Sequence, residues 1–309
     1  MKVASIGECM VELSDDGAGR FSRGFGGDTL NTALYLARLG IETSYVTALG
    51  DDSLSSTMLG AWCEEGIDVD EVLRLPGRMP GLYMIERNAL GERSFLYWRD
   101  RAPARELFDR ADESLLDRLA QFDWLYLSGI SLSLYDDSGR ARLRELLAAT
   151  RKRGGRIAFD GNYRPRGWAD RATARRAFEE ILPLIDLAMP TFEDEQALFG
   201  DEDVQHCVNR FRAAGIREIV VKRGAQGCVI IAGDDTIEVP PPRVVQPVDT
   251  TAAGDSFNAA YLAARIKGAA PHEAALAGHR LAGAVILSPG AVIDRERMPK
   301  DKLPSGEAG

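Results

Sequence analysis

Cysteine is scarce: four residues in 309, Cys9, Cys63, Cys207 and Cys228, none in a C-x-x-C pair. Their long, irregular spacing excludes a disulfide scaffold and reads as free, mostly buried thiols in a reducing compartment. Histidine is scarcer still, at His206, His272 and His279, which argues against a zinc centre. No apolar run approaches the roughly 18 residues of a membrane span. Glu8 interrupts the short apolar stretch after Lys2, so the amino terminus reads as a first strand rather than a signal peptide. Positive charge is in deficit, 38 Lys+Arg against 47 Asp+Glu, net −9. Such a chain repels phosphate backbones and anionic headgroups, so neither a nucleic acid nor a membrane is the expected partner. An acidic substrate has to be met by a local basic pocket. The expected location is the cytoplasm. A P-loop, a G-x-G-x-x-G fingerprint and the protein-kinase signatures are all missing.

What is present is alternation. Apolar runs at Lys2–Gly7, Thr43–Leu49, Trp124–Ser128, Arg156–Asp160, Leu187–Pro190 and Ile219–Lys222 read as strands buried on both faces. Helical periodicity lies between them, as at Asp28–Leu39, which stops at Gly40, and Arg140–Arg153, which stops at Gly154. The pattern predicts an α/β fold with a mostly parallel sheet and helices on both faces. Two segments, about 10–25 and 80–99, interrupt it. The second reads as a hairpin, Leu82–Arg87 and Ser94–Arg99, turning through Asn88–Gly91. Period two puts Phe95, Tyr97 and Arg99 on one face and Leu96 and Trp98 on the other. A small hairpin cannot bury two such faces, so a lid is expected, its outer face meeting a second subunit. The domain is expected to span 1–293, followed by a loose, polar tail over 294–309.

The strongest chemical signal is Asp249-Thr250-Thr251-Ala252-Ala253-Gly254-Asp255-Ser256-Phe257, running into the helical stretch Asn258–Lys267. Small residues let a backbone turn closely around a ligand. The helix start adds free N–H groups and a positive dipole end, an anion site suited to a transferring phosphoryl group. Asp255, in the first turn, can take the proton of an attacking hydroxyl. The helix terminus is expected to lower its pKa, which a loose phosphoryl-transfer transition state tolerates. The alternative is that Asp255 only caps the helix.

These residues resemble the carboxy-terminal signature of the ribokinase-like (PfkB) sugar kinases. Gly26-Gly27-Asp28-Thr29-Leu30-Asn31 resembles the amino-terminal glycine signature of that family, and Lys222-Arg223-Gly224-Ala225-Gln226-Gly227 its nucleotide-side turn. Gly7–Leu13, Gly81-Leu82-Tyr83, Tyr97-Trp98-Arg99 and Asn162–Trp168 resemble the branch of the family that acts on 2-keto-3-deoxygluconate. The match runs in order from about residue 2 to about residue 293.

The resemblance implies a three-layer α-β-α sandwich with a small β-sheet lid, and transfer of the ATP γ-phosphoryl group to the C6 hydroxyl of a keto-deoxy sugar acid. It implies Asp255 as base and Ala252, Ala253 and Gly254 as the anion hole. Gly27, Asp28, Asn31, Tyr83, Tyr97, Arg99 and Arg164 would face the sugar acid, the arginines pairing with its carboxylate. Lys222, Gly224, Gly227, Thr191 and His279 would face the nucleotide. Mg²⁺ is implied as cofactor, and a monovalent cation near Asp249 and Thr251 is possible. The family's Asn-x-x-Glu near the metal is replaced here by Thr191 and Asp194, leaving Asp194 as the candidate metal residue with Glu193 or Glu195 as substitutes. Glu8 stands near a sugar-binding acid of relatives or serves as a structural acid. A homo-oligomer through the lid is expected. A same-fold kinase for a neutral sugar and a non-catalytic sugar-acid sensor are the alternatives.

Overall fold

The structure, a computed structural model, describes residues 1–15, 19–87 and 93–300. The expected turn Asn88–Gly91 and the last nine residues of the tail lie outside the described residues. Fourteen strands occur among those described. In chain order they are β1 (Lys2–Ile6), β2 (Met10–Asp15), β3 (Phe21–Gly26), β4 (Glu42–Val46), β5 (Ala48–Gly50), β6 (Leu73–Leu75), β7 (Leu82–Arg87), β8 (Arg93–Trp98), β9 (Trp124–Ser128), β10 (Arg156–Asp160), β11 (Leu187–Ala188), β12 (Glu218–Lys222), β13 (Cys228–Ala232) and β14 (Asp235–Val239).

Eight of them form the central sheet in the order β14-β13-β12-β11-β10-β9-β1-β4. Neighbours from β12 to β4 are parallel. These six are the runs read as strands from the sequence. β13 and β14 extend the edge as an antiparallel pair. They are missing from the sequence reading because the β-branched run Val229–Ile231 follows a glycine turn with no helical segment between, outside the alternation used to find strands. Successive residues of each central strand enter opposite cores. Val3, Tyr126, Ala158 and Val220 pack with Leu34, Leu262 and Leu281 of the helices Asp28–Arg38, Ala253–Ile266 and Pro271–Val285. Ala4, Leu125, Ile157 and Val221 pack with Leu143, Phe178 and Phe211 of the helices Asp137–Lys152, Arg171–Ile181 and Val204–Ala213. The result is three layers, α-β-α. Among the described residues no helix is long and apolar enough to cross a membrane.

A second sheet, ordered β3-β2-β7-β8, leaves the first at the end of β1. Its register sets Gly24, Glu12, Tyr83 and Tyr97 in one row across the strands, and the Tyr83 and Tyr97 rings lie 6.0 Å apart. Strand β8 is an edge strand, and its outward Trp98 is 56% exposed. β1, β9, β10 and β12 all end on the side where this sheet attaches, the side on which open parallel sheets bind ligands.

Candidate active site

Two helix starts meet beyond those strand ends. The helix Asp28–Arg38 follows Gly27, and the helix Ala253–Ile266 follows Ala252. Packed together, they bring Asn31 to Asp255, whose Oδ2 accepts from Asn31 Nδ2 at 2.8 Å. Gly27 is dictated by close approach, since a Cβ there would lie 2.1 Å from the Glu8 carbonyl oxygen. Ala252 adopts φ 60°, ψ 15°, a left-handed conformation costing an L-residue about 1–2 kcal/mol. Ser256 secures it: its Oγ donates to the carbonyls of Ala252 (2.8 Å) and Ala253 (3.0 Å). The Ala253 N–H is taken by the Thr250 carbonyl at 3.2 Å. Of the expected Ala252–Gly254 donors, the Ala253 N–H is thus already engaged within the turn.

Asp255 sits among other acids. Its carboxyl is pushed up to about 8, first by burial and then by the Asp28 charge, with Asp160 adding and Asn31 and Lys222 opposing. This overturns the expectation of a lowered pKa. A helix end stabilises a charge by about 1 kcal/mol, less than the desolvation and like-charge repulsion acting here. Asp28 is also raised, by burial, against hydrogen bonds from Ser128 and Asn162. Asn162 Nδ2 donates to Asp28 Oδ2 at 2.6 Å. Behind them, Lys222 Nζ donates to Asp160 Oδ1 (3.2 Å) and Asn258 Oδ1 (3.1 Å), and Asn258 Nδ2 donates to Asp160 Oδ2 at 2.7 Å. A Cβ on Gly254 would lie 3.3 Å from Lys222 Nζ, so the ammonium stands beside the turn.

On the other side of that turn opens a cavity of about 400 Å³, with Thr191, Lys222, Gly224, Gly227, Gly254 and His279 in its wall. Gly227, at φ +87°, is also fixed by packing, because a Cβ would lie 2.2 Å from the Val239 carbonyl. His279 Nε2 is 3.0 Å from the Val239 oxygen, and its ring stands edge-on to Phe257 at 5.0 Å. Burial lowers its pKa, which leaves a neutral ring beside an apolar wall. Thr191 occupies the N-cap position of the helix Phe192–Phe199 without a side-chain cap bond. Glu195, one of the expected substitutes for Asp194, is fully buried and held by Arg210 at 2.9 Å. Thr191, Asp194 and Asp160 offer the hard oxygen donors that magnesium takes, and Asp194 feels the Asp160 charge. Thr191, in the cavity wall, with Asp194 and Asp160 would be the residues to hold a magnesium ion, which would supply neutralisation of phosphoryl charge; the two carboxylates are already paired with Arg164 and Lys222.

The sugar-side residues are less free than expected. The Tyr83 hydroxyl donates to Glu12. Arg99 lies just past β8 and is ion-paired with Glu8. Arg164 Nη1 donates to Asp194 Oδ1 at 2.8 Å and to the Tyr163 carbonyl at 2.7 Å. Both arginines expected to grip a carboxylate therefore already hold one of the protein's own, and they share no partner.

A profile of pfkB family carbohydrate kinases matches residues 1–298. The chain belongs to that family. It is 47% identical over 305 residues to the 2-dehydro-3-deoxygluconokinase of Dickeya dadantii, covering 96% of this chain and 98% of that one. It is 46% identical to the enzyme of the same name from Escherichia coli, covering 96% and 99%. Among solved structures, a putative ribokinase II from E. coli in complex with ATP and Mg²⁺ superposes with TM-score 0.84 at 23% identity, over 96% of each chain. As a PfkB-family kinase the protein uses ATP, with Mg²⁺, to phosphorylate a sugar.

Four residues in contact with the candidate site residues carry no role in the sequence reading, Asp160, Asn162, Asn258 and Glu12, although Asn162 and Glu12 lie within the motifs Asn162–Trp168 and Gly7–Leu13. Asp160 had a usable signal, as an acid closing a parallel strand before Gly161. Asn258 follows Asp255 by three residues, which places both on one helix face. Glu12 lies in the Gly7–Leu13 motif, but only strand register shows that it faces Tyr83.

Proposed function

We propose that the protein transfers the γ-phosphoryl group of ATP to the C6 hydroxyl of 2-dehydro-3-deoxy-D-gluconate, giving the 6-phosphate and ADP. One observation carries the phosphoryl-transfer reading. Asp255 is a buried carboxyl, oriented by Asn31, immediately after the Gly254 turn that walls the cavity. A hydroxyl held against Asp255 would face phosphorus lying on that turn. The acceptor follows from the relatives named above and from Arg99 and Arg164, whose forks suit a carboxylate. In this mechanism Arg99 and Arg164 hold the carboxylate end, and Gly27, Asp28 and Asn31 present the far hydroxyl. Asp255 removes its proton, and the Gly254 turn with Lys222 meets the developing charge.

The deciding experiment is ADP release, measured with 2-dehydro-3-deoxygluconate beside fructose and ribose. Turnover on the sugar acid at least a hundredfold above either neutral sugar is expected; preference for a neutral sugar, or no ADP with any, overturns the reading. A pH profile adds a check. The base must be ionised, so kcat/KM rises with pH through an apparent pKa near 8. Asp28→Asn removes a charge that raises this pKa, and so moves the rise to lower pH.

Three further assignments belong to the same reading. Trp98 and Leu96, exposed on edge strand β8, meet a second copy of the chain. A monovalent cation sits near Asp249 and Thr251, where the Asp249 carboxylate already draws in Thr251 and the Gly290 N–H. The protein works in the cytoplasm, which suits four unpaired thiols and ATP as donor.

A further inference from the structure

We propose that Asp194 is a positioning residue for Arg164, presenting its fork to the substrate carboxylate, and is not confined to the metal side of the site. The inference rests on the proposed sugar-acid substrate. Arg164 is a long side chain, 55% exposed. Left free, it would lose considerable rotamer entropy on gripping a ligand. Here one corner is tied down: both of its hydrogen bonds, to Asp194 Oδ1 and to the Tyr163 carbonyl, leave from Nη1. Among the described residues Nε and Nη2 carry no bond. That Nε–Nη2 edge is one of the two that pair bidentately with a carboxylate. Asp194 is only 19% exposed, and its short arm leaves the tether little slack. Arg99 is also held by a carboxylate, that of Glu8, 1% exposed at its side chain, but through Nη2, so its Nε–Nη2 edge is buried rather than presented. Two arginines brought from separate loops are thus each set by a protein carboxylate before any ligand arrives.

The test is calorimetric binding of 2-dehydro-3-deoxygluconate to the full chain in EDTA, without nucleotide or metal. Asp194→Ala is expected to weaken binding about three- to tenfold, the scale of losing an ordered ion pair. Asp194→Asn keeps an acceptor oxygen and falls between the two. In an Arg164→Gln background, Asp194→Ala has no further effect. A metal-only role leaves metal-free binding unmoved by Asp194→Ala. Simple relief of like charge tightens it. Either result overturns the proposal, as does an equal loss in the Arg164→Gln background. If the unaltered protein binds no sugar acid, the substrate reading falls and this inference with it, whereas binding insensitive to Asp194 sinks this inference alone. Unchanged thermal melting of Asp194→Ala excludes misfolding as the cause of any loss.

Discussion

Asp255→Asn is expected to lower kcat by about 10²–10⁴-fold, the range in which a positioned base acts, while KM for ATP moves little. Asparagine preserves shape and can keep an oxygen toward Asn31, so the geometry of both helix starts survives and only the proton acceptor is lost. In the proposed mechanism ATP lies on the Gly254 turn and the cavity wall, which the change does not touch. ADP release at saturating levels of both substrates measures the effect, and near-full kcat would remove Asp255 as base. Stability should move the other way. The folded pKa of Asp255, about 8, lies above the ordinary aspartate value of about 4. The protonated form therefore supports folding fully below pH 4, and that support drains away as pH rises through 8. The variant has no such loss, so at pH 8 it melts higher than the parent and at pH 5 the gap narrows. On the proposed mechanism, a base held among Asp28 and Asp160 is a source of instability that the reaction would require.

The second large effect is on stability. Arg99→Ala is expected to destabilise the protein by about 3–5 kcal/mol, the usual result of stripping one partner from a buried ion pair. Glu8 is buried beneath the attachment of the small sheet, its pKa raised by burial and held down chiefly by Arg99. Without the guanidinium, that carboxylate is left in a low-dielectric pocket with only the weaker influence of Arg105 to oppose its burial. Adding Glu8→Gln should restore much of the loss, because an amide carries no charge to strand. Urea melts of the four proteins in the cycle measure this. Equal stability of Arg99→Ala and the parent would show that the pair is not buried as described. Weakened sugar-acid binding by Arg99→Ala has to be read against this cost, and the Glu8→Gln background separates the two.

Much of the fold was legible because its causes are local. Strand burial on both faces shows as continuous apolar runs, and helix ends show as a glycine after a periodic stretch. The parallel strands and the long helices follow from these. The β13–β14 pair escaped because an antiparallel extension breaks the rhythm. The site was legible where backbone shape makes it, at the turns around Gly27, Gly227 and Gly254, since a turn restricts residue size at consecutive positions. It was illegible where side chains from different elements meet. Lys222 was read as a nucleotide contact, yet its ammonium also neutralises Asp160. Arg99 and Arg164 are expected from the sequence to pair with a substrate carboxylate, yet each already holds an acid of the protein.

By itself, then, the chain's order of residues determined the three-layer architecture, the two glycine-lined helix starts and membership of a sugar-kinase family, all consequences of short-range spacing. Only the tertiary structure decided that Asp255 is a reluctant acid and that both arginines come already paired. Ionisation and pairing depend on dielectric and distance, and both are set when Asp28, Asp160 and Asp255, far apart along the chain, are driven into one buried space.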